Sequence, residues 1–156
     1  MKNLVDIAIE NNIHFIFAVS LGLDLNYKGE KGEEDFQYML NKLDSMYNIG
    51  VKDFAIFFDN LTGEQSGTNQ ANFFNKLQNA LDKKYVDVYP LITVSTQYTR
   101  NWMIDEDGNI KQYTLEFSSL LNNKNQRKIV FNFSIFILYI LYLLIKNNML
   151  LDIKQL

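Results

Sequence analysis

The sequence has no cysteine and a single histidine among its 156 residues. These absences exclude disulfide frameworks, thiol catalysis and nearly all zinc arrangements, which need Cys or His ligands. A glycine-rich phosphate fingerprint is also missing, because the glycines of "GEKGEEDF" do not lie directly behind an apolar strand. We therefore predict no cofactor, no metal and no nucleotide site, so that the chemistry left to this chain is that of oxygen-bearing side chains.

A strongly basic surface is missing as well. The net charge is −3, but residues 1–121 hold 10 Lys or Arg against 17 Asp or Glu, whereas residues 122–156 hold 5 against 1. An acidic body without a basic, aromatic-interleaved stripe gives no support for nucleic-acid binding. The first residues, "MKNLVDIAIENN", contain two acids within their apolar run, so they do not indicate a secretory signal and no localisation is assigned.

Apolar residues make up 47% of the chain and aromatic residues 14%, which is typical of a folded protein. One pattern occurs repeatedly, a short apolar run followed by an amphipathic stretch of helical spacing. The predicted elements are strands over residues 13–20, 51–58 and 86–94 and helices over residues 33–50 and 68–85. Alternating strands and helices, with strands apolar on both faces, indicate an α/β fold with a parallel sheet.

The common parallel folds, the doubly wound sheet and the eight-stranded barrel, both place functional loops beyond the carboxyl ends of the strands. In this sequence those loops are "LGLDLNYKG", "DNLTGEQSG" and "STQYTRNW". The second opens with Asp59 and Asn60, directly after the run "FAIFF". Such an Asp either caps the turn or acts as an acid/base group, and the residue pattern leaves both interpretations open.

The stretch "NNIHFIFAVSLGLDLNYKGEKGEEDFQYMLNKLDSMYNIGVKDFAIFFDNL", followed by "PLITVSTQY", resembles the catalytic barrel of glycoside hydrolase family 84. That family contains bacterial β-N-acetylglucosaminidases and hyaluronidase-like toxins related to protein O-GlcNAcase. The resemblance covers residues 10–121 and implies a partial (β/α)8 barrel of about three βα units. It also implies retaining hydrolysis of terminal N-acetylglucosamine in a glycan or glycoprotein, by substrate-assisted catalysis.

In that family two adjacent aspartates follow the second of these strands. The first holds the N–H of the sugar's 2-acetamido group, whose oxygen attacks the anomeric carbon, and the second protonates the leaving oxygen. The resemblance places Asp59 at the first position and Asn60 at the second. It places Tyr98 in the lining of the acetamido pocket, and Gly22 and Asp24 in the sugar-binding loop after the first strand.

Several departures from the family pattern predict a crippled or inactive enzyme. Asn60 has no proton to donate near neutral pH, so the general acid is missing. Leu21 and Ser95 stand where the family has prolines, which predicts a loss of local rigidity. The resemblance also implies barrel strands before residue 13 and after the third strand that are not seen here, so a complementary barrel fragment is one predicted partner. The alternative is a non-catalytic N-acetylglucosamine-binding or membrane-associated protein.

The last 35 residues, 122–156, form a divergent tail. The segment that starts at Ile129 and ends at Ile145 is uncharged and lies at the lower length limit for crossing a bilayer. Three interpretations compete: a membrane anchor, a hydrophobic helix packed on the sheet, or an out-of-frame read-through of the coding sequence.

Three further features are predicted to be structural. His14 is interpreted as a satisfied residue in the core or at the start of a strand. Trp102 could stack on a sugar face, but a lone Trp in a loop is more often a packing residue, and it is interpreted as one. The run "DEDGN" indicates a hairpin-type turn and lacks the ligand spacing of a calcium loop.

Overall fold

The computed structural model describes residues 1–21, 25–59 and 65–121, and the backbone of Arg127–Lys128. The elements in chain order are helix α1 (Lys2–Glu10), strand β1 (Ile16–Ser20), helix α2 (Gly29–Tyr47), strand β2 (Asp53–Phe57), helix α3 (Gly67–Lys84), strand β3 (Ile92–Val94), helix α4 (Arg100–Met103), helix α5 (Gln112–Leu120) and strand β4 (Arg127–Lys128).

The strands form one parallel sheet in the order β1-β2-β3-β4. Ile16 pairs with Asp53, and Ala55 pairs with Ile92, so the carboxyl ends of β1, β2 and β3 lie along one edge of the sheet. The predicted α/β class with a parallel sheet is confirmed. Strand β4, which continues the order beside β3, was not predicted.

The two faces of the sheet have different surroundings, because successive side chains of a strand point to opposite faces. One face packs on the helices and builds the core with Val19, Phe54, Ile56 and Phe58. Residues at the alternate positions of β1 and β2, such as Ser20 and Phe57, lie on the opposite face. Polar groups placed there at the ends of the strands do not disturb the helix-packed core.

The predicted strands are longer than the observed ones, and one is less buried than predicted. Strand β1 is an edge strand of the sheet, and Ile16, Ala18 and Ser20 are exposed, so it is not apolar on two buried faces. The third strand begins only at Ile92, because Pro90 has no N–H for the sheet ladder. The two main predicted helices are confirmed, although α2 begins four residues earlier than predicted, at Gly29.

Some predictions fall outside the described residues. These are the placements of Gly22, Asp24 and Asn60 and of the apolar segment that starts at Ile129. In the ranges that the structure does describe, no helix is both long and apolar enough to cross a membrane.

Helices α3 and α5 pack closely at the start of α3, a contact that the sequence did not predict. A Cβ atom on Gly67 would lie 2.2 Å from the carbonyl oxygen of Tyr113 and 2.8 Å from the amide nitrogen of Phe117. Both are backbone atoms of α5 and cannot rotate away as the end of a side chain could. Glycine at residue 67 therefore allows α5 to dock against α3.

We predict that Gly67→Ala destabilises the fold by about 1–3 kcal/mol, because the added methyl group forces the two helices apart. The measurement is urea denaturation followed by circular dichroism. Asn79→Ala on the exposed face of α3 is the control and should change stability by less than about 0.5 kcal/mol. Equal midpoints for the two variants would show that the contact between α3 and α5 is not tight.

Candidate functional site at the strand ends

The sheet hydrogen bonds continue past the assigned ends of the strands. The amide of Leu21 donates to the carbonyl of Phe57 at 3.0 Å, and the amide of Phe58 donates to the carbonyl of Val94 at 2.9 Å. The three chain segments therefore leave the sheet side by side, with fixed register. Residues that follow these ends are brought to a common edge, as the alternation of strands and helices predicted.

Asp59 lies at the centre of this edge and is half-buried. Its Oδ1 accepts a hydrogen bond of 3.1 Å from the Oγ of Ser20, the last residue of β1. Ser20 pairs with Phe57, so by strand alternation Ser20 and Asp59 share the face opposite the helices. The hydrogen bond links the ends of two neighbouring strands through a carboxylate that is still partly open to solvent.

The loop after β1 is fastened to helix α2 by one carboxylate. Asp35 accepts hydrogen bonds from the backbone amide of Asn26 at 2.7 Å and from its side-chain amide at 2.9 Å. The bonds from Asn26 hold the pKa of Asp35 below its ordinary value. Ser20, Asp35, Tyr38 and Lys42 help to line a cavity of about 270 Å³ between the end of β1 and α2.

A buried polar network lies under the loop after β3. The Oγ1 of Thr96 donates to the carbonyl of Phe58 at 2.7 Å and accepts from the Nε2 of Gln70 at 3.1 Å. The backbone amide of Thr96 donates to the hydroxyl of Tyr113 at 2.9 Å, and that hydroxyl donates to the Oε1 of Gln70. These groups join α3, α5 and the ends of β2 and β3.

Two tyrosine hydroxyls border this network, and the pKa of each is raised above its ordinary value. Burial raises the pKa of Tyr27 to about 12, although a hydrogen bond with Gln70 lowers it. Burial also raises the pKa of Tyr113, against hydrogen bonds with Thr96 that lower it. Both hydroxyls therefore stay protonated at neutral pH, so the hydroxyl of Tyr113 can donate its hydrogen bond to Gln70.

Tyr98 is half-buried in the loop after β3, and its ring packs edge-on against Trp102 with centroids 4.9 Å apart. Trp102 lies in helix α4 and not in a loop, and it is 47% exposed, so it packs on Tyr98 with only part of its side chain. Asp59 and Tyr98 are thus held on loops that leave adjacent strands. The roles predicted for them as sugar contacts, and for Gly22, Asp24 and Asn60, stay predictions.

The two positions where the family resemblance led us to expect proline make hydrogen bonds that proline could not make. The amide of Leu21 extends the ladder to β2, as described above. The Oγ of Ser95 donates to the carbonyl of Gln97 at 3.0 Å and closes a local turn. Both loop starts are therefore held by hydrogen bonds in place of the proline rings, and the predicted loss of local rigidity stays a prediction.

His14 and the turn at residues 105–109 lie away from the edge. The Nδ1 of His14 is 3.2 Å from the Oδ2 of Asp53 at the amino end of β2, and the imidazole is largely exposed. His14 precedes β1 and is not a core residue, so only the strand-start interpretation holds. The predicted hairpin-type turn is confirmed by the bridge between Ile104 and Ile110 and by the positive φ of Gly108.

Sequence reasoning missed Ser20, Gln70, Thr96 and Tyr113. Gln70 had a readable signal, since it shares the apolar face of α3 with Phe74 and Leu77 at helical spacing. A glutamine on a buried face must find hydrogen-bond partners. Its partners could not have been named, because Thr96 and Tyr113 come from distant parts of the chain. In the described part of the chain no group of three acidic or histidine side chains could hold a metal ion.

Comparison with known proteins identifies the family to which the chain belongs. A family model for β-N-acetylglucosaminidase matches residues 1–130. The chain belongs to this family. The structure named CpGH84B is 38% identical over 82% of the chain, with a TM-score of 0.76. An aspartate-to-asparagine mutant of the O-GlcNAc hydrolase of Thermobaculum terrenum is 25% identical over 81% of the chain, with a TM-score of 0.67. CpGH84D, which is 23% identical, shares the fold with a TM-score of 0.70.

These comparisons confirm the resemblance to glycoside hydrolase family 84. The family assignment covers more of the chain than the predicted resemblance did, because it extends to residue 130 and so includes β4. The chain spans 22% of the length of CpGH84B and 27% of that of the Thermobaculum hydrolase. It therefore corresponds to one part of a β-N-acetylglucosaminidase domain.

We predict that Thr96→Val destabilises this domain by about 1–3 kcal/mol, because the buried carbonyl of Phe58 and the buried amide of Gln70 each lose a hydrogen-bond partner. Thr96→Ser restores the hydroxyl and should recover most of the loss. The measurement is the urea midpoint of each variant. If Val at residue 96 is as stable as Thr, the network is not formed in solution.

Proposed function

We propose that this chain is a segment of a (β/α)8 β-N-acetylglucosaminidase barrel that keeps an acetamido contact and lacks the general acid. The barrel proposal is supported by the parallel order of the strands, by helices on one face of the sheet and by the 82% of the chain that superposes on CpGH84B. In a closed barrel the face opposite the helices is the interior. Ser20 and Asp59 would then lie at the carboxyl end of the barrel, where such enzymes hold their substrates.

The observation that supports the function most directly is the hydrogen bond from Ser20 to Asp59. An ionised carboxylate has about four acceptor sites on its two oxygens, so Asp59 is proposed to receive the N–H of a 2-acetamido group as well as the bond from Ser20. Tyr98, on the loop from the next strand, would close the pocket around the acetamido methyl group. Asp59 would thereby orient the acetamido oxygen towards the anomeric carbon.

Catalysis by this chain is proposed to be weak because of Asn60. In the family reaction the second aspartate protonates the departing oxygen and later activates water. An amide has no ionisable proton near neutral pH, and general acid/base catalysis contributes about 10²–10⁴-fold to a rate. The chain is therefore proposed to bind terminal N-acetylglucosamine and to hydrolyse it poorly. Gly22 and Asp24 remain candidate sugar contacts in the loop after β1, and the predicted complementary fragment stays a prediction.

Restoring the acid should rescue hydrolysis selectively when the remainder of the barrel is supplied. The experiment replaces the matching segment of CpGH84B with residues 1–121 of this chain and compares grafts that differ only by Asn60→Asp. We expect kcat/KM for a phenyl N-acetylglucosaminide to rise by about 10²–10⁴-fold. For a dinitrophenyl glycoside the rise should be far smaller, because dinitrophenolate departs without protonation.

The unmodified CpGH84B protein is the positive control for the assay. A rise of the same size for both leaving groups would mean that Asn60→Asp does not supply a general acid. No rise with either substrate, in a folded graft, would show that the site is impaired by residues other than Asn60.

The binding role of Asp59 is tested on the chain as it exists. We expect retention on N-acetylglucosamine resin, and its loss in Asp59→Ala, because that variant removes the acceptor for the acetamido N–H. Asp6→Ala is the matched control, since Asp6 is also half-exposed but only pairs with Lys2 on the surface of α1 at 3.0 Å. Equal retention of both variants would remove Asp59 from the site.

A further inference from the structure

We propose that Gln70 is the positioning residue of this site, acting through Thr96 to set the place of the loop that holds Tyr98. This inference rests on the proposed function for the identity of its ligand. The placement of the loop itself depends on hydrogen bonds, burial and packing within the protein. Gln70 itself is fully buried and is not expected to contact the sugar.

Both the nitrogen and the oxygen of the Gln70 side-chain amide make hydrogen bonds. Its Nε2 donates to Thr96 Oγ1 and to Gln65 Oε1, each at 3.1 Å. Its Oε1 accepts from the hydroxyl of Tyr113. A primary amide has two N–H donors and a carbonyl acceptor, so a flipped or displaced Gln70 would break these bonds together. Because the group is buried, each broken bond carries the full cost of an unpaired polar atom.

Thr96 transmits this constraint to both candidate loops. Its hydroxyl has one proton, which it donates to the carbonyl of Phe58, the residue immediately before Asp59. Thr96 lies two residues before Tyr98, and its backbone amide donates a hydrogen bond to the hydroxyl of Tyr113. The same side chain therefore ties the start of the Asp59 loop to the start of the Tyr98 loop. A shift of Thr96 would change the separation of the two groups proposed to grip the acetamido group.

The outer end of the Tyr98 loop is held independently of Gln70. The Oγ1 of Thr114 donates to the Oε1 of Gln97 at 2.7 Å, and Trp102 packs on Tyr98. The loop is thus fixed at Thr96, at Gln97 and at Trp102. Loss of the contact at Thr96 should loosen the loop without unfolding it, because the other two contacts remain.

The chain provides its own matched control. Gln78 lies two turns further along α3, is also buried, and accepts a hydrogen bond of 2.7 Å from the amide of Leu91. Leu91 is at the amino end of β3, away from the site. Gln70→Met and Gln78→Met therefore remove the same amide from the same helix, and both should lower stability. Only Gln70→Met removes a hydrogen bond at the carboxyl edge of the sheet.

The experiment uses the full chain and its single tryptophan as a reporter. Acrylamide quenching of Trp102 fluorescence is measured for the unmodified chain and for Gln70→Met, Gln78→Met, Thr96→Val and Thr96→Ser, under conditions in which every variant is folded. Binding of N-acetylglucosamine is measured on the same samples. We expect Gln70→Met and Thr96→Val to increase quenching and to weaken binding about three- to ten-fold. This is the change in affinity that corresponds to the loss of one or two net hydrogen bonds.

Gln78→Met and Thr96→Ser should leave both readouts near those of the unmodified chain. Equal quenching in Gln70→Met and Gln78→Met would overturn the proposal, whatever the affinities of the two variants for N-acetylglucosamine. Increased quenching in Gln70→Met with unchanged binding would overturn it too, because the loop would then move without affecting the site. If the unmodified chain does not bind the sugar but the quenching difference appears, the proposed function fails, while Gln70 is confirmed as the residue that places the loop.

Discussion

Two buried glutamines of α3 hold the region around β3 at both ends. Gln78 accepts from the amide of Leu91, and Gln70 donates to the hydroxyl of Thr96. Gln78 follows Gln70 by eight residues, which is about 12 Å along the helix, and Thr96 follows Leu91 by five residues, which is about 16 Å along the strand. Helix and strand therefore run alongside one another over this length. Because buried amides must be hydrogen-bonded, Leu91 and Thr96 must stay within hydrogen-bond distance of the two glutamines. The ends of β2 and β3 and the start of the Tyr98 loop all take their positions from it.

The class of fold could be predicted because its signal is local. Apolar runs of strand length alternate with helical spacing, and that pattern alone indicates a parallel sheet. The accessibility of β1 could not be predicted, because its sequence is as apolar as that of a central strand and only its place at the edge of the sheet exposes Ile16 and Ala18. Helix α5 was missed because its apolar pattern is weak and its docking depends on Gly67, a distant residue.

The candidate site was predicted unevenly for the same reason. Asp59 was recognised from its position after an apolar run, and the family resemblance gave it a role. Ser20 was passed over, since a serine at the end of a strand has no distinctive pattern and its partner lies 39 residues away. The absence of the expected prolines at residues 21 and 95 predicts loops with fewer constraints. The structure constrains those positions with hydrogen bonds, which a comparison of residue types does not reveal.

We propose that this domain keeps a contact for the 2-acetamido group although Asn60 occupies the position of the general acid. The most direct measurement is a pair of NMR titrations of the ¹⁵N-labelled chain, one with N-acetylglucosamine and one with glucose, which lacks the acetamido group. We expect saturable shifts of the amides of Ser20, Asp59 and Tyr98 with N-acetylglucosamine and none with glucose. Equal responses to both sugars, or shifts confined to residues remote from the strand ends, would contradict it.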